Sequence, residues 1–447
     1  MNKFLATILA LTFACGAAFA EITAFVNVNV IPLTSDSVIP AQTVIVDEHV
    51  ITTIGNVKET PVPDDAFVID GTDRYLMPGL AEMHGHVPGD SSANLERILS
   101  LYVANGVTTV RGMLGQPSHL TMRERIAAGD LLGPRLITSG PSFNGRSVAS
   151  PGAGASMVRE QQAAGYDFLK IHPGLTRDEF DAIAATANEI GIPFAGHVPE
   201  DVGVERALAT GIATIDHLDG YMQALLTPNE DLSGGLGGFF GVFLADMADE
   251  SKIGAIARAT VDAGVWNVPT ESLFEHVTAP DVSADDLASR PEMLFMPAGT
   301  VDQWRNAKED LLGDSNYVPS TAARAIEIRR QLILALHEAG AGLLLGSDSP
   351  QIFNVPGFAL HRELDFMVAA GLSPAEALQT GTINAATFLG QSDRFGAVRE
   401  GLEADLVLLD FDPLADIGNT RRIHGVMLRG RWLSRADLDD LLAKYAR

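Results

Sequence analysis

Cysteine is almost absent from this chain of 447 residues, and the single one, Cys15, lies near its start. The first twenty residues have the pattern of a removable leader, so we expect a mature protein without any thiol. Such a protein can form no disulfide, and an oxidising compartment poses no hazard to it.

Basic residues are also scarce. The chain has 31 Lys and Arg against 57 Asp and Glu, which gives a net charge of −26. This balance disfavours nucleic acids and anionic membrane surfaces as partners and mildly favours neutral or cationic ligands. Beyond the leader, no run of about 20 apolar residues is present, the length that a membrane helix needs. We therefore expect a small-molecule ligand, with neither a nucleic acid nor a membrane as partner.

The leader itself follows the order of a secretory signal. Lys3 precedes the apolar run from Phe4 to Phe13, and the segment from Ala18 to Ala20 carries the small residues of a cleavage site. We expect cleavage after Ala20 and a soluble periplasmic or secreted protein. A lipid anchor at Cys15 is disfavoured, because Leu11 stands one position too far from the cysteine.

The two ends of the chain differ in pattern from its middle. Residues 21–75 and 395–447 have strand-like hydrophobic patterns and no helical period, which predicts a small β-sandwich assembled from both termini. Residues 76–394 alternate strand and helix, as in a parallel sheet with helical crossovers. Eight such units close a barrel. The sequence thus predicts an α/β protein with a (β/α)₈ TIM barrel and a small β-sandwich domain.

The barrel opens with the stretch from Met77 to Pro88. The candidate strands after it are Val107–Gly112, Arg135–Ser139, Tyr166–His172, Pro193–His197, Thr214–His217, Val265–Pro269 and Gly342–Asp348. Helical patterns between them include Thr176–Ile190 and Ala322–Ala339. Two connections, residues 221–250 and 271–321, are long enough to predict lids rather than simple turns.

The opening strand ends in His84-Gly85-His86. Residues two apart in a strand point to the same face, so these two imidazoles project together. Converging imidazoles are typical of a Zn²⁺ site, although one such pair alone also fits a polar strand end.

Later strands carry further candidate ligands in Lys170, His197, His217 and Asp348. The carboxyl ends of barrel strands face one axial space, where barrel enzymes place their chemistry. Each residue also has an ordinary interpretation: a strand-end histidine is often only hydrogen-bonded, Asp348 could cap a helix, and Lys170 could be ion-paired or form a Schiff base. Their joint occurrence at five strand ends favours a metal centre.

The lysine needs its own explanation, because an ammonium group cannot ligate a metal. Its neutral amine can add CO₂ to give a carbamate, whose two oxygens can bridge two divalent ions. The predicted assignment is His84, His86 and Asp348 on one ion, His197 and His217 on the other, and carboxylated Lys170 between them. Asp348 would also accept a proton from the attacking water and deliver it to the leaving group.

These residues belong to a wider pattern that resembles the amidohydrolase superfamily, and within it the exported prolidase-like and imidazolonepropionase-like members. The motifs are Met77-Pro78-Gly79-Leu80, His84-Gly85-His86, Phe168-Leu169-Lys170-Ile171, Gly196-His197-Val198-Pro199, Asp216-His217, Gly346-Ser347-Asp348, Thr382-Ile383-Asn384-Ala385-Ala386 and the run from Gly396 to Asp410. The resemblance covers nearly the whole mature chain. It implies two metal ions, usually zinc, a carboxylated lysine, and hydrolysis of an amide, peptide or related bond. Relatives often self-associate, so we also expect a homo-oligomer.

Substrate residues are less well marked. Tyr221 matches a tyrosine that dipeptidase-like relatives direct at the substrate, but the loop at residues 140–146 lacks the histidine that those relatives use. Arg146 could bind a substrate carboxylate or be solvated. His172, two residues beyond Lys170, could contact the substrate or be structural.

Other features have ordinary interpretations. Glu82 stands where many relatives have aspartate, which should leave metal ligation intact. Trp266, Phe274 and the pair Phe239-Phe240 could line an apolar pocket, although core packing is the default for aromatic residues. The histidines treated as ordinary are His49, His119, His276, His337, His361 and His424.

Together the patterns predict an exported two-metal hydrolase that cleaves an amide or peptide C–N bond in a dipeptide or N-acyl amino acid. An esterase, lactonase or phosphotriesterase would use the same centre and stays open. A deaminase is disfavoured, because such relatives often use one metal and lack the lysine. A Schiff-base lyase at Lys170 and a non-catalytic binding protein also stay open, and metal content would separate both from the hydrolase.

Overall fold

The computed structural model describes residues 22–227 and 237–447. The predicted leader lies outside these residues, so its cleavage stays a prediction. Among the described residues, no helix has both the length and the apolar character needed to span a bilayer.

The described strands form one mixed sheet and two parallel sheets. They are β1 (Ile22–Val30), β2 (Ile39–Asp47), β3 (Val50–Asn56), β4 (Phe67–Asp70), β5 (Tyr75–Pro78), β6 (Leu80–Gly85), β7 (Val107–Gly112), β8 (Arg135–Thr138), β9 (Leu169–Ile171), β10 (Phe194–Gly196), β11 (Thr214–Asp216), β12 (Trp266–Val268), β13 (Leu406–Leu409), β14 (Ile423–Leu428) and β15 (Arg431–Ser434).

Strands from both ends of the chain share the mixed sheet. Its order is β15-β14-β13-β5-β1-β2-β3, and β4 pairs with β1 beside it. β5 lies between β13, its antiparallel neighbour, and β1, its parallel neighbour, so it joins the two terminal segments. The rings of Phe25 and Trp432 lie 5.4 Å apart, which shows that the sheet folds over a core of its own. The sheet takes in β5 and thus extends beyond the boundary placed at residue 75.

The parallel sheets β6-β7-β8 and β9-β10-β11-β12 close into a ring through isolated bridges. Ser139 pairs with Phe168, Asn267 with Leu343, and Gly85 with Ser349, all in parallel. The segment from Gly342 to Asp348 therefore occupies the eighth strand position. The sequence predicts a regular strand here, whereas the structure shows only isolated ladder contacts, and the chain turns sharply at Asp348 (φ 58°). The α/β barrel predicted from the sequence is the fold of the chain.

The helices fill the crossovers and the long connections. They are α1 (Leu95–Ala104), α2 (Ser118–Ala127), α3 (Pro151–Ala164), α4 (Arg177–Ile190), α5 (Val204–Ala209), α6 (Tyr221–Ala224), α7 (Ile253–Asp262), α8 (Glu271–Thr278), α9 (Ala284–Ala288), α10 (Ala298–Leu312), α11 (Pro319–Ala339), α12 (Phe358–Ala369), α13 (Pro374–Thr380), α14 (Ile383–Phe388) and α15 (Arg435–Ala443). Four short 3₁₀ helices are also described, at Phe239–Met247, Glu250–Lys252, Pro291–Phe295 and Ile417–Arg421.

Helix boundaries follow local chemistry. The pattern at Thr176–Ile190 becomes a helix from Arg177, because Thr176 caps it in a reciprocal capping box with Glu179. Gly191 ends that helix in the left-handed region (φ 75°). Helix α11 begins earlier than predicted, at Pro319, a residue that suits the first turn of a helix.

The long connection at residues 271–321 is a helical insertion rather than an irregular loop. Helices α9 and α10 pack around a separate apolar cluster that includes Leu287, Met293 and Trp304. Phe353, which follows the eighth strand, joins this cluster, so the insertion is fixed to the barrel beside Asp348. The connection at residues 221–250 contains α6 and a 3₁₀ helix, and residues 228–236 lie outside the described part. A lid function for either connection stays a prediction.

His361 on α12 gives the fold a testable pH dependence. Its Nε2 lies 3.1 Å from the carbonyl oxygen of Asn105, and burial, with Arg421 nearby, lowers the pKa of His361 from 6.5 to about 3. As pH falls below 6.5, the unfolded imidazole takes up a proton that folded His361 does not. We expect the free energy of unfolding to lose up to about 1.4 kcal/mol per pH unit from this group.

Urea titrations between about pH 7 and 5 measure this loss. In His361→Gln, the contribution of this group to the slope of unfolding free energy against pH should disappear. His49→Gln, at an exposed histidine, is the matched control. An identical slope in wild type and His361→Gln would contradict the assignment.

Candidate metal centre

The histidines of the opening strand meet Asp348 at the carboxyl end of the barrel. His86 Nε2 lies 2.6 Å from Asp348 Oδ1, and His84 Nε2 lies 3.6 Å from the same oxygen. One donor atom from each of the three residues lies within 4.8 Å of the others. Two imidazoles and a carboxylate form a donor set that Zn²⁺ takes in catalytic sites.

The other two predicted histidine ligands lie directly beside this group. The ring of His217 is centred 4.5 Å from that of His84 and 4.6 Å from that of His197. His217 Nδ1 also lies 3.9 Å from Asp348 Oδ2. All four imidazoles and the carboxylate therefore occupy one continuous space.

Burial decreases from the base of this space to its mouth. The side chains of His84, His217 and Lys170 are at most 1% exposed, whereas those of His197 and His86 are 12% and 18% exposed. Burial, with Lys170 and other histidines nearby, lowers the pKa of both His84 and His217 well below the ordinary value. These two imidazoles are therefore neutral, the form that binds a metal.

Three of the histidines have an oxygen partner at Nδ1. His84 Nδ1 lies 2.9 Å from Asp216 Oδ2, His197 Nδ1 lies 3.1 Å from Asp219 Oδ2, and His217 Nδ1 lies 2.8 Å from Thr270 Oγ1. Metal-binding histidines usually direct one ring nitrogen at such a partner, which fixes the ring and leaves the other nitrogen for the ion. The arrangement therefore fits Nε2 ligation.

Asp216 is the centre of a buried charge network behind the ligands. Arg111 donates to Asp216 Oδ1 over 3.3 Å, and Lys170 Nζ lies 3.7 Å from Asp216 Oδ2. Burial raises the pKa of Asp216, but Arg111 and Lys170 outweigh burial and leave the pKa below its ordinary value. Asp216 is thus an anion that faces His84, Lys170 and Arg111 at once.

Arg111 also connects two barrel strands. Its Nε donates to the carbonyl oxygen of Met83 over 2.6 Å, next to the ligand His84, and its Nη atoms lie 3.3 Å from Thr214 Oγ1 on β11. The guanidinium lies between the rings of Phe168 and Phe388, centred 5.4 and 5.3 Å away. A planar group with donors on several edges suits this position, and lysine could not make the same contacts.

The environment of Lys170 fits a carbamate better than an ammonium group. The side chain is fully buried on β9, and its Nζ lacks a hydrogen-bond partner within the described residues. Burial, opposed by Asp216 and Asp348, lowers the pKa of this amine. An ammonium group that makes no hydrogen bond is expensive to bury even beside Asp216, whereas a carbamate oxygen could be a metal ligand here. The residues present therefore fit a metal centre.

Glu82 ties the first strand to the eighth. One carboxylate oxygen, Oε1, accepts the backbone N–H groups of His84 (3.0 Å) and Ser347 (2.8 Å), and Oε2 accepts the Ser347 hydroxyl. Burial raises the pKa of Glu82 to about 7. The glutamate thus supports the ligand-bearing backbones without occupying the ligand space, as its position in the family pattern led us to expect.

Left-handed backbone occurs where these ligands leave their strands. The φ angles are 63° at His217, 58° at Asp348 and 50° at Thr270, and none of these residues is glycine. Such conformations cost about 1–3 kcal/mol each and persist where surrounding contacts impose them. Arg329 supplies such contacts, because it donates to the carbonyl oxygens of His217 (2.7 Å) and Pro269 (2.9 Å).

An aromatic side chain covers two of the histidines. The ring of Phe240 stacks on His217, with centroids 4.7 Å apart and planes 16° apart, and lies 6.0 Å from His197. Phe239 stacks in turn on Phe274 at 6.4 Å. Phe240 therefore forms an apolar wall of the ligand space. Trp266 packs instead against Phe388.

The predicted substrate residues have three different placements. The ring of half-buried His172 lies 5.1 Å from that of His197, and burial lowers its pKa to about 2, so it is a neutral group at the edge of the site. Tyr221 is fully buried, and its hydroxyl bonds Thr260 Oγ1 at 2.8 Å, a packing role that leaves no free hydroxyl for a substrate. Arg146 is exposed on its loop. Substrate contact by any of the three stays a prediction.

Sequence reasoning missed Arg111, Asp216, Asp219 and Thr270 as members of the site. Arg111 and Asp216 had a usable signal: each is a charged residue inside an apolar barrel strand, the same signal that identified Lys170. Asp219 and Thr270 lie in turns beyond the strands and carried no comparable signal.

The family model of the Amidohydrolase family matches residues 75–433. The chain belongs to the amidohydrolase family. An ochratoxinase of Aspergillus niger is 25% identical over 373 residues, which are 76% of this chain and 71% of that protein. The bottromycin amidohydrolase structure has a TM-score of 0.71 at 24% identity and covers 95% of this chain and 91% of its own. A putative prolidase from Bifidobacterium longum has a TM-score of 0.67 at 24% identity, over 96% and 99% of the two chains.

These matches confirm the family resemblance seen in the motifs and the barrel fold. As a member of this family, the protein is a hydrolase that acts on carbon–nitrogen bonds. The family depends on metals, and His84, His86 and Asp348 are placed to hold an ion.

The network behind the ligands can be tested by metal affinity. Asp216→Asn should weaken metal binding by about 10- to 100-fold, because His84 loses the anion that orients its ring. Competition with a coloured chelator measures the affinity. Asp167→Asn is the matched control, since Asp167 also pairs with an arginine, Arg123 (2.9 Å), but lies at the other end of the barrel strands. Equal affinity in wild type and Asp216→Asn would contradict the orienting role.

Proposed function

We propose that this amidohydrolase is an exported enzyme with two divalent metal ions, of which zinc is the expected metal. It hydrolyses an amide or peptide C–N bond in a small substrate of the dipeptide or N-acyl amino acid type. The observation that carries this proposal is the meeting of four imidazoles, Asp348 and a buried Lys170 whose Nζ makes no hydrogen bond, at one end of the barrel.

The proposed assignment follows the contacts. His84, His86 and Asp348 would hold one ion, and His197 and His217 the other. Lys170, carboxylated on Nζ, would supply a ligand to both. When bound, the ions polarise the scissile carbonyl and activate water for attack. Asp216 and Arg111 keep His84 and the lysine in position throughout.

Asp348 is the proposed proton carrier. Its carboxylate lies among His84, His86 and His217 at the base of the open mouth, where it can accept a proton from the attacking water. It would then return this proton to the leaving nitrogen, so the amide and one water become a carboxylic acid and an amine. Phe240 would exclude bulk water from one side of the reacting groups, and His172 would face the substrate at the other.

The names of relatives support the type of bond. The relatives and structural neighbours include proteins named prolidase, ochratoxinase and bottromycin amidohydrolase. Export rests on the leader at residues 1–20, and self-association on the habit of relatives, so both are parts of the proposal.

Metal analysis and a hydrolysis screen test the function. We expect about two zinc-like ions per chain and turnover of N-acyl amino acids or dipeptides. Asp348→Asn should keep at least one ion while turnover falls by about 10²-fold or more. Turnover of lactones, esters or phosphotriesters alone would overturn the bond assignment. Metal-free protein from metal-replete cells would favour a non-catalytic binding protein.

The lysine ligand has a separate test. Lys170→Ala should lose most of the bound metal and activity, and short carboxylic acids added with metal should restore part of both, because they replace the carbamate oxygens. Lys308→Ala is the matched control: Lys308 is also fully buried, but its Nζ donates to the carbonyl oxygens of His276 (2.9 Å) and Ala279 (3.0 Å). The control should keep its metal. Full metal content in Lys170→Ala would remove the bridging role.

A further inference from the structure

A cavity of about 1020 Å³ lies at the seam between the barrel and the terminal sheet. The first residue of β8, the segment before β9 and the end of α2 line it from the barrel side, and the turn between β14 and β15 lines it from the sheet. These are the amino ends of the barrel strands. The cavity is therefore on the opposite face from the metal ligands.

The charge of this cavity is opposite to that of the protein as a whole. Acidic residues outnumber basic ones by 57 to 31 in the chain. The cavity is instead lined by five arginines against the three carboxylates of Glu48, Asp167 and Glu403. The lining arginines are Arg123, Arg135, Arg394, Arg429 and Arg431.

Two of these carboxylates are already paired with other arginines. Asp167 accepts Arg123 at 2.9 Å, and Glu403 accepts both Arg394 at 2.7 Å and Arg135. Arg135 also reaches Asp405 at 2.9 Å, which is the buried acid behind the lining. The third, Glu48, is 70% exposed and lies 3.9 Å from His49 Nδ1, so little buried negative charge in the lining is left for Arg429.

Arg429 has no carboxylate within ion-pair distance among the described residues. Its half-buried side chain donates only to the carbonyl oxygens of Ile126 (3.2 Å) and Gly133 (3.4 Å). The end of α2 at Ile126 offsets part of its charge, while Asp405 accepts the backbone N–H of Arg429 rather than its guanidinium. Burial lowers the pKa of Arg429 more than Asp405 and Glu403 raise it. A cation withdrawn this far from water is stabilised by an anionic partner.

The backbone at Arg429 supports a role for this side chain. Arg429 and Gly430 have φ angles of 49° and 79°, as in the two-residue hairpin turns that ordinarily hold Asn-Gly or Asp-Gly. An arginine there costs about 1–2 kcal/mol. Gly430 is required, since a Cβ would lie 1.8 Å from the carbonyl oxygen of Glu48.

Besides the charged residues, His49 and Gln391, the lining is apolar. Ile126, Leu131, Leu136 and Leu428 contribute to the same cavity as the arginines. A ligand that fills this space therefore needs a hydrophobic body as well as a negative group, and a planar carboxylate matches the two-pronged guanidinium.

We propose that this cavity binds a small organic carboxylate with an apolar body, whose carboxylate pairs with Arg429. The site lies on the far side of the barrel from the metal centre, and it does not depend on the hydrolysis proposed above.

Titration calorimetry on the full-length protein tests the site with 3-phenylpropionate as the probe. The neutral 3-phenylpropanamide has the same apolar body and controls for hydrophobic binding alone, and inorganic phosphate controls for charge alone. We expect binding of the carboxylate and at least about tenfold weaker binding of the amide and of phosphate.

Two variants locate the binding. Arg429→Gln removes the charge and keeps a donor for the Ile126 and Gly133 carbonyls. Ala128→Glu adds a competing carboxylate at an exposed lining position that ends α2, and it spares the arginine. Both should weaken carboxylate binding by at least about tenfold. Ala263→Glu is the matched control, because Ala263 also ends a helix before a left-handed glycine but lies off the cavity.

If 3-phenylpropionate bound at the metal centre instead, its affinity would be unchanged in Arg429→Gln and Ala128→Glu. Loss of binding in both variants therefore places the probe in the cavity. Equal affinity in wild type and both variants would overturn the proposal. Binding of the amide or of phosphate as tight as that of the carboxylate would also overturn it.

Discussion

The buried ion pair between Arg111 and Asp216 is the contact on which the catalytic end of the barrel depends. Arg111 reaches the backbone at Met83 and the carboxylate of Asp216, and Asp216 faces His84 and Lys170. One pair of side chains therefore fixes the first, second, fourth and sixth strands relative to one another. Loss of either partner would leave the other charge buried and uncompensated.

The imidazoles gain a common orientation from this base. An oxygen atom close to Nδ1 leaves Nε2 as the ligand atom of His84, His197 and His217. The left-handed turns at His217 and Asp348 direct side chains inward at positions where a strand would alternate them outward. Placing the ligands in this way requires unfavourable backbone conformations at several residues. Buried hydrogen bonds, such as those that Arg329 donates to backbone carbonyl oxygens, offset their energetic cost.

The sequence predicted the barrel and its ligand set well because both depend on local patterns. A short apolar run that ends in a histidine or contains a lysine is visible without knowledge of the fold. The regular ladders are shorter than the predicted strands, as at Leu169–Ile171, where the preceding Phe168 pairs only through an isolated bridge. The charged residues Arg111 and Asp216 carried the same signal and could have been found.

Other parts of the site depend on contacts between distant segments, which no local pattern reports. Thr270 contacts His217 although the two residues are 53 positions apart in the sequence. Phe240 stacks on His217 from a long connection, whereas core packing is the default expectation for an aromatic residue. Helices α9 and α10 share an apolar cluster with Phe353, a contact between distant segments that the sequence of the connection does not report. The hydroxyl of Tyr221 contacts Thr260, a long-range contact that the match of its position to relatives did not report.

The position of β5 has a consequence for the order in which the molecule can assemble. One edge of β5 pairs with β1, which is made earlier, and the other with β13, which is made more than 300 residues later. Until β13 arrives, that edge exposes unpaired N–H and C=O groups right beside the strand that carries the first two histidines. A chain still on the ribosome would therefore hold a nearly complete barrel with an open seam, and would need protection from edge-to-edge aggregation until its last strands were made.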